Sequence, residues 1–247
     1  MNNQSHLTAP KAGCIGKLDK TSRLEHSSRT IIFEPKDLVA FQDAWKWQQE
    51  WQKSLLNGET SCYGVWILQH KECYTLGRGA SEKNLLFEPK NEPSELVRID
   101  RGGEVTLHLP GQLVVYLVLD LRRYKTDLNW YLRELEQVII DLLESLGLSA
   151  YRIDGLTGIW VGGYKVASLG ISCRRWITQH GFALNVDCDL KGFDKIIPCG
   201  LSQHSVGKLE NWIPGIRVID VQPYIRKFLS RRFDFAFEDG SDYYLKF

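Results

Sequence analysis

Apolar residues recur with helical spacing in two long segments of the chain. Residues 37–56 carry apolar side chains three and four positions apart, Asp37 is placed to cap the start, and Gly58 follows the end. Residues 127–146 show the same spacing more regularly, with Asp127 as the cap. Both segments predict amphipathic helices. The apolar positions of the two stripes are Leu38, Phe41, Ala44, Trp45, Trp51 and Leu55, then Leu128, Tyr131, Leu135, Val138, Leu142 and Leu146.

Apolar runs elsewhere predict β-strands. Residues 63–69 form a short apolar run that suits a buried strand. Residues 112–120 are apolar on both faces, which is typical of a strand in the middle of a covered sheet. Residues 151–185 are β-rich, and Gly162-Gly163 divides them at a hairpin-type turn.

The order of these elements predicts the fold class. A third amphipathic helix is expected over residues 221–233, where Pro223 is tolerated because it falls in the first turn. Helices and strands interleave, but several neighbouring strands look hairpin-linked. We therefore expect an α+β fold, a mixed β-sheet flanked by helices, rather than a parallel doubly wound sheet. Residues 1–29 are polar and aperiodic, which predicts a flexible tail before a single domain over residues 30–247.

The composition narrows the class of protein. The 247 residues are 43% apolar and 25% charged, an ordinary globular balance. A formal net charge of +1 gives no global field and argues against non-specific nucleic-acid binding. No apolar run reaches transmembrane length, and the N-terminus lacks the apolar core of a secretory signal. No cysteines have Cys-x-x-Cys spacing, so we expect reduced thiols in the cytoplasm and no metal site.

Two residues of the second half of the chain suggest an activated thiol. Lys165 is the one lysine in a β-rich run, and Cys199 lies between Pro198 and Gly200 on a braced loop. A free thiol with a pKa near ~8.5 is only a few per cent thiolate at neutral pH. A lysine ammonium about 4 Å away stabilises the anion by up to ~4 kcal/mol at an effective dielectric of about 20, which is sufficient to activate it. We interpret the other cysteines of the β-rich core as inert small apolar residues, namely Cys62, Cys73, Cys173 and Cys188.

A glycine-rich stretch forms the second candidate site. It begins with Arg101-Gly102-Gly103 and continues through His108 to Gln112. Adjacent glycines let a ligand approach the backbone closely, and their amides then bind a carbonyl or an anion. Taken alone, this pattern is equally consistent with a plain tight turn and a structural histidine.

The motifs together resemble the lipoyl(octanoyl) transferase family, over roughly residues 31–235 and in the family's order. The segments that carry the resemblance are Tyr74-Thr-Leu-Gly-Arg78, Arg101-Gly-Gly-x-x-Thr-x-His108-x-Pro-Gly-Gln112, Lys165-Val-Ala-Ser168-Leu-Gly170, His180-Gly181 and Pro198-Cys199-Gly200. The resemblance implies transfer of an octanoyl group from acyl carrier protein to a lysine of lipoate-dependent proteins, the first step of endogenous lipoate biosynthesis. It also implies the mixed α/β fold of the biotin and lipoate protein ligases.

The resemblance assigns roles to individual residues. Cys199 would be the acyl-accepting nucleophile and Lys165 its partner. The residues implied to bind the acyl substrate are Arg101, Gly102, Gly103, Glu104, Val105, Thr106, Leu107, His108, Ser168, Leu169, Gly170, Gly181, Phe182 and Ala183. No cofactor or metal is implied. The implied partners are octanoyl-acyl carrier protein as donor and, as acceptors, the lipoyl domains of 2-oxoacid dehydrogenases and the glycine cleavage H protein. We expect a cytoplasmic monomer that binds neither membrane nor nucleic acid.

The chain departs from the family at two places. Leu107 stands where an aromatic residue is more usual, which predicts a mild change of pocket shape. Val206-Gly207-Lys208-Leu209 stands where Val-Thr-Ser-Leu is typical, which removes two hydroxyls and adds a charge near the cysteine loop.

Two other functions are compatible with the same motifs. An ATP-dependent lipoate or biotin protein ligase would share the fold and a lysine at Lys165, but making an acyl-adenylate needs no thiol at Cys199. A silent binding protein that retains the acyl pocket is the second alternative. Two basic groups, Arg122-Arg123-Lys125 and Arg174-Arg175, are ordinary solvated surface unless an acidic carrier protein docks there.

Overall fold

A computed structural model describes residues 28–88, 94–197 and 205–244 of the chain. Its strands are β1 (Ser28–Phe33), β2 (Tyr63–Leu68), β3 (Cys73–Leu76), β4 (Glu95–Arg98), β5 (Val105–His108), β6 (Gln112–Val118), β7 (Ala150–Tyr151), β8 (Ile159–Val161), β9 (Tyr164–Arg174), β10 (Ile177–Asn185) and β11 (Phe235–Asp239). Its α-helices are α1 (Phe41–Asn57), α2 (Leu128–Ser145), α3 (Val218–Phe233) and α4 (Ser241–Tyr244). Ser28 and Arg29, assigned to the tail by sequence, lie in β1.

An eight-stranded sheet organises the molecule, in the order β11-β1-β2-β6-β10-β9-β8-β7. Strand β1 pairs in parallel with β2 and β11. The other pairs of this sheet are antiparallel, namely β2–β6, β6–β10, β10–β9, β9–β8 and β8–β7. A second sheet of three strands has the order β4-β3-β5. The predicted mixed sheet with flanking helices is confirmed.

Strand β6 is the centre of the large sheet, as its apolar pattern predicts. It pairs with β2 on one side and β10 on the other, and all its residues are buried. Both α1 and α3 contact β6. Because all residues of this strand are buried, both of its faces are covered. No helix in the described parts of the chain is both long and apolar enough to cross a membrane.

The predicted start of α1 is wrong. The helix begins at Phe41 with Ala40 as its N-cap, and no side chain caps it. The preceding Val39 forms a bridge with His70 and exchanges backbone hydrogen bonds with Gln69 and Lys71. This pairing holds the chain extended, so Asp37 does not reach the helix start and Leu38 lies before the helix, exposed. The predicted glycine end is confirmed, since Gly58 is left-handed with φ 71°.

Helix α2 follows its prediction closely. Asp127 Oδ1 accepts the Trp130 N–H at 3.0 Å, and the Gly147 N–H donates to the Glu144 carbonyl after the helix ends. Its stripe is buried from Tyr131 to Leu142, whereas Leu146 is partly buried and Leu128 is exposed.

Helix α3 begins earlier than predicted, at Val218. Pro223 therefore lies inside the helix and not in its first turn, so that prediction is wrong. Proline leaves the carbonyl of Ile219 without its helical donor. The defect lies at an exposed residue, since Ile219 is 61% exposed.

Candidate active site

A cavity opens between the large sheet, the small sheet and the first residue of α1. Most of the substrate-binding residues expected from sequence line it, although they come from three separate parts of the chain. These are Arg101, Gly103, Glu104, Val105, Thr106, His108, Ser168, Leu169, Gly170, Gly181, Phe182 and Ala183.

Two of the expected residues lie outside this cavity. Leu107 is fully buried in the core of the small sheet with Tyr74 and Phe193. The departure at Leu107 therefore changes that core and not the cavity wall. Gly102 donates its N–H to the Ile171 carbonyl at 3.0 Å and lines a neighbouring groove.

The sequence interpretation missed four residues that line the cavity, Phe41, Ile99, Tyr116 and His180. Tyr116 pairs with Gly181 across β6 and β10. Residues that pair directly on neighbouring strands lie on the same face of the sheet. A predicted register between β6 and β10 would therefore have placed Tyr116 next to Gly181. Phe41 was predicted as an apolar helix residue, and nothing in its spacing marks it as a cavity residue.

Two glycines line the cavity where β9 and β10 meet. Gly170 and Gly181 are opposite each other in the register. A Cβ on Gly181 would overlap the Val115 carbonyl oxygen, and one on Gly170 would lie 2.9 Å from Arg101 Cδ. The stem of Arg101 thus lies over Gly170 because that residue has no side chain.

Arg101 is buried and holds the glycine turn against the small sheet. Its Nη2 donates to both the carbonyl and the hydroxyl of Thr75 at 2.9 Å, and its Nη1 donates to the Gly102 carbonyl at 3.0 Å. A planar guanidinium with several fixed donors orients a loop more tightly than a lysine would.

A buried histidine fixes the hydroxyl of Tyr116. His70 Nδ1 lies 2.9 Å from the Val39 carbonyl, and its Nε2 lies 2.8 Å from the Tyr116 hydroxyl. Because a carbonyl only accepts, Nδ1 carries the proton and Nε2 accepts the tyrosine O–H. Burial lowers the pKa of His70 to about 4, so the ring is neutral near pH 7.

His108 is a second neutral histidine in the cavity wall. Its ring stacks on Phe41 with centroids 5.8 Å apart, and its Nδ1 lies 2.9 Å from Gln112 Oε1. Burial lowers the pKa of His108 well below its usual value, and the neighbouring His70 lowers it further.

His180 has an unusual backbone conformation in the middle of β10. Its φ of 63° is in the left-handed region, and its N–H donates to Gln48 Oε1 of α1 at 2.7 Å. One turn later, Gln52 Nε2 donates to the Ile177 carbonyl at 2.8 Å. Helix α1 therefore holds the strand in a strained form beside the cavity, where such strain tends to occur.

A β-bulge sets the direction of Lys165. Ile159 pairs with Ala167 but Trp160 pairs with Lys165, so β9 has one extra residue, Val166, at this point. The bulge shifts the alternation of side chains along β9 between Ala167 and Lys165.

The side chain of Lys165 is buried beside the large sheet. Its Nζ lies 5.4 Å from the centroid of the Trp160 ring, a cation–π distance. A Cβ on Gly158 would lie 2.5 Å from Lys165 Cε, so this glycine leaves the space that the lysine occupies. Lys165 is not among the residues that line the cavity.

The backbone of Lys165 is joined to the segment that follows Cys199 in the chain. Cys199 itself, with residues 198–204, lies outside the described residues. The described part of the chain resumes at Ser205, and the Ser205 carbonyl accepts the Lys165 N–H at 2.9 Å. The Gly207 N–H in turn donates to the Lys165 carbonyl at 3.0 Å.

The departure at Gly207-Lys208 has a structural account. A Cβ on Gly207 would lie 2.7 Å from Tyr164 Cβ and 3.1 Å from the Trp212 ring. Lys208 Nζ lies 2.8 Å from the Glu210 carboxylate, which raises the pKa of the lysine. The added charge is therefore paired within its own segment.

Three of the described cysteines, Cys73, Cys173 and Cys188, are poor nucleophiles. Burial raises the pKa of Cys73 and of Cys173, and it raises the pKa of Cys188 to about 12. These thiols stay protonated at neutral pH.

Comparison with known proteins identifies the class to which this fold and cavity belong. Residues 40–230 match the family described as the lipoyl protein ligase A/B catalytic domain. The fold is shared with a lipoate-protein ligase A solved with ATP, with a TM-score of 0.66 at 14% identity over 88% of this chain and 91% of that one. A bipartite lipoate protein ligase from Thermoplasma acidophilum gives a TM-score of 0.66 at 14% identity over 88% and 89% of the two chains. The chain belongs to the lipoyl protein ligase A/B family.

Relatives within this family define the activity more closely. An octanoyltransferase of Prochlorococcus marinus strain MIT 9211 is 57% identical over 94% of this chain and 99% of its own length. Another, from strain MIT 9313, is 59% identical over 91% and 92% of the two chains. The predicted enzyme class is confirmed: the protein is an acyltransferase that transfers octanoyl groups in lipoate biosynthesis and protein lipoylation.

Proposed function

We propose that the octanoyl group passes through a thioester on Cys199. The supporting observation is the backbone pairing of Lys165 with Ser205 and Gly207, which ties the lysine to the segment that continues from Cys199. A lysine ammonium at this position stabilises a thiolate by charge attraction and so raises the nucleophilicity of the sulfur.

In the first half-reaction, the Cys199 thiolate attacks the thioester carbonyl of octanoyl-acyl carrier protein. Backbone amides around Ser168–Gly170 stabilise the oxyanion. The carrier thiolate leaves and takes a proton from the Lys165 ammonium, which leaves Lys165 neutral, and the acyl group remains on Cys199. Exchange of one thioester for another is nearly isoenergetic, so the step needs no ATP.

In the second half-reaction, the amine of an acceptor lysine attacks the Cys199 thioester. Neutral Lys165 accepts the proton released from the new amide nitrogen, and the Cys199 thiolate is regenerated. Formation of an amide from a thioester is downhill, which makes the overall transfer favourable without a cofactor or metal. Ping-pong kinetics follow from the covalent intermediate.

The cavity is suited to the acyl chain. Phe41, Ile99 and Phe182 give it apolar walls, and each methylene removed from water contributes about 0.8 kcal/mol. We propose that this cavity holds the octanoyl chain, with Arg101, His108, Gly170 and Gly181 as part of its wall.

The proposed partners are an acidic acyl carrier protein and the lipoyl domains of lipoate-dependent enzymes. The T. acidophilum ligase was studied together with its E2 lipoyl domain. The basic residues proposed to contact the carrier lie close together, because the Leu121 N–H donates to the Trp176 carbonyl at 2.8 Å and joins their two segments. They are Arg122, Arg123, Lys125, Arg174 and Arg175, and all five are exposed.

We further propose that residues from about 30 onward form one catalytic domain that acts as a cytoplasmic monomer. The pairing of β1 with β2 and β11 supports a single domain, because it joins the first and last strands along the described chain in one sheet.

Transfer in the absence of ATP tests the proposed function. The full chain is incubated with octanoyl-acyl carrier protein and an unmodified lipoyl domain, and the octanoylated domain is measured by mass. We expect transfer without nucleotide and none with Cys199→Ser. Transfer that requires ATP, or that persists in the Cys199→Ser variant, contradicts the thioester route.

A further inference from the structure

A chain of hydrogen bonds runs from the cavity wall to the segment that follows Cys199. His108 Nδ1 lies 2.9 Å from Gln112 Oε1, and Gln112 Nε2 donates to Asn185 Oδ1 at 2.9 Å. Asn185 Nδ2 then donates to the Gly207 carbonyl at 2.9 Å. Gln112 and Asn185 are opposite each other at the ends of β6 and β10, so the sheet itself sets their spacing.

Backbone carbonyls determine the direction of every bond in this chain. The Gly207 carbonyl only accepts, which assigns the NH₂ of Asn185 to that end and its oxygen to Gln112. The Leu107 carbonyl also accepts from Gln112 Nε2, at 3.1 Å, and so places Gln112 Oε1 toward His108. His108 is therefore the Nδ1–H tautomer, and its Nε2 carries a lone pair.

The chain keeps its form across the pH range in which an enzyme of this kind works. Both amides are neutral and buried, and burial disfavours the charged form of His108. Buried hydrogen-bond networks that are fully satisfied hold their members in one arrangement.

Both backbone polar groups of Gly207 are therefore hydrogen-bonded. Its carbonyl accepts from Asn185 and its N–H donates to the Lys165 carbonyl. Both contacts act on the backbone at the point where the Cys199 segment rejoins β9.

We propose that Gln112 and Asn185 are positioning residues that hold Gly207 against the backbone of Lys165. They act through the Gly207 carbonyl. This inference rests on the proposed function, because it assumes that Lys165 activates the Cys199 thiol.

The pH dependence of Cys199 alkylation tests this role. Iodoacetamide labelling of the Cys199 peptide is followed by mass spectrometry from pH 5 to pH 10 in the full chain, for the natural sequence and for Asn185→Ala. We expect the apparent thiol pKa to rise by about 1 unit in the variant, because an opposite charge near a titrating group is worth about that much or more. The kcat for transfer should fall by up to about tenfold with the KM for the donor little changed, since the thiolate fraction falls with the pKa.

Gln52→Ala is the matched control. Gln52 is also a buried amide that donates one bond to the backbone of β10, but at Ile177, at the other end of the strand. We expect a comparable loss of thermal stability and an unchanged thiol pKa. If Asn185→Ala does not fold, Asn185→Leu retains the side-chain volume and removes the same bonds.

The outcomes separate the inference from the proposed function. A Cys199 thiol that titrates near its ordinary pKa in the natural sequence contradicts the activated-thiol proposal itself. A lowered pKa that is unchanged in Asn185→Ala and Asn185→Leu, or that rises equally in Gln52→Ala, overturns only the positioning role.

Discussion

Lys165 forms a parallel β-bridge with Val206, a residue that follows Cys199 in the sequence. The bridge is closed by the Lys165 N–H to the Ser205 carbonyl and by the Gly207 N–H to the Lys165 carbonyl. Strand β9 thus binds the return of the cysteine segment through backbone atoms. The position of Ser205–Gly207 beside β9 therefore depends on backbone hydrogen bonds and not on the flexible side chain of Lys165.

Gly158→Ala should lower activity by displacing Lys165. A Cβ at this position lies 2.5 Å from Lys165 Cε, so the lysine must move and its attraction for a nearby thiolate weakens with distance. We expect a fall in kcat of about tenfold or more, measured as octanoyl transfer to a lipoyl domain.

Gly147→Ala controls for backbone strain in that experiment. Gly147 also has positive φ, 81°, but a Cβ there meets no atom within 4 Å. It should lose about 1 kcal/mol of folding stability and keep its transfer rate. Equal loss of activity in both variants would show that Gly158 acts through strain alone.

Restoring the family's usual residues at Gly207 and at Lys208 should change the folding stability by different amounts. Lys208→Ser removes a half-exposed ion pair with Glu210, and such pairs contribute little to stability. Gly207→Thr brings a Cβ to 2.7 Å from Tyr164 Cβ and should cost about 1–3 kcal/mol of unfolding free energy. Urea unfolding of the two variants measures this difference. A stable Gly207→Thr protein would contradict the packing described for this segment.

Gly77→Ala should distort the Arg101–Gly103 turn. A Cβ on Gly77 would overlap the Gly103 carbonyl oxygen, so the turn must move away from the small sheet and reshape the cavity wall. We expect the KM for the octanoyl donor to rise by about tenfold or more, since the acyl chain loses part of its apolar contact.

Gly79→Ala is the matched variant for that prediction. It lies two positions further along, in a non-positive φ region, and a Cβ there meets no atom within 4 Å. Its steady-state kinetics should match those of the natural sequence. A raised KM in this variant too would point to a general effect of alanine in this loop.

The sequence predicted the elements whose signals are local. Helix α2 has its stripe, its Asp127 cap and its closing glycine within one continuous segment, and the structure follows all three. The start of α1 was wrong because the bridge between Val39 and His70 decides it, and that partner lies far along the chain. Pro223 was misplaced because the start of α3 was set three residues late, although a local contact marks that start, the Arg217 N–H to Asp220 Oδ2 at 2.9 Å.

The residues in and around the cavity also divide into those that local motifs predict and those that only contacts across the fold reveal. Its glycines and Arg101 stand in recognisable motifs, so sequence alone brought them together. Gln48 and Asn185 carry no motif, and their importance depends on what they meet across the fold, the His180 N–H and the Gly207 carbonyl. No spacing rule along one chain contains such pairings.

His70 should make folding sensitive to acid. Its pKa is about 4 in the folded protein and about 6.5 when unfolded, so the unfolded chain binds the extra proton first as the pH falls. The stabilisation is fully present above about pH 6.5 and is lost toward pH 4; at pH 5 the loss from this residue is about 2 kcal/mol. His70→Gln does not titrate, so its stability deficit in urea unfolding should shrink by about that amount between pH 7 and pH 5. A deficit that stays constant over this range would contradict a neutral buried His70.

The central claim is that Cys199 carries the octanoyl group between donor and acceptor. The most direct measurement is the intact mass of the full chain after brief exposure to octanoyl-acyl carrier protein with no acceptor present. We predict one added octanoyl group that maps to the Cys199 peptide, is absent from Cys199→Ser, and is lost when a lipoyl domain is added. A protein whose mass is unchanged under conditions in which it transfers octanoyl groups would contradict the claim.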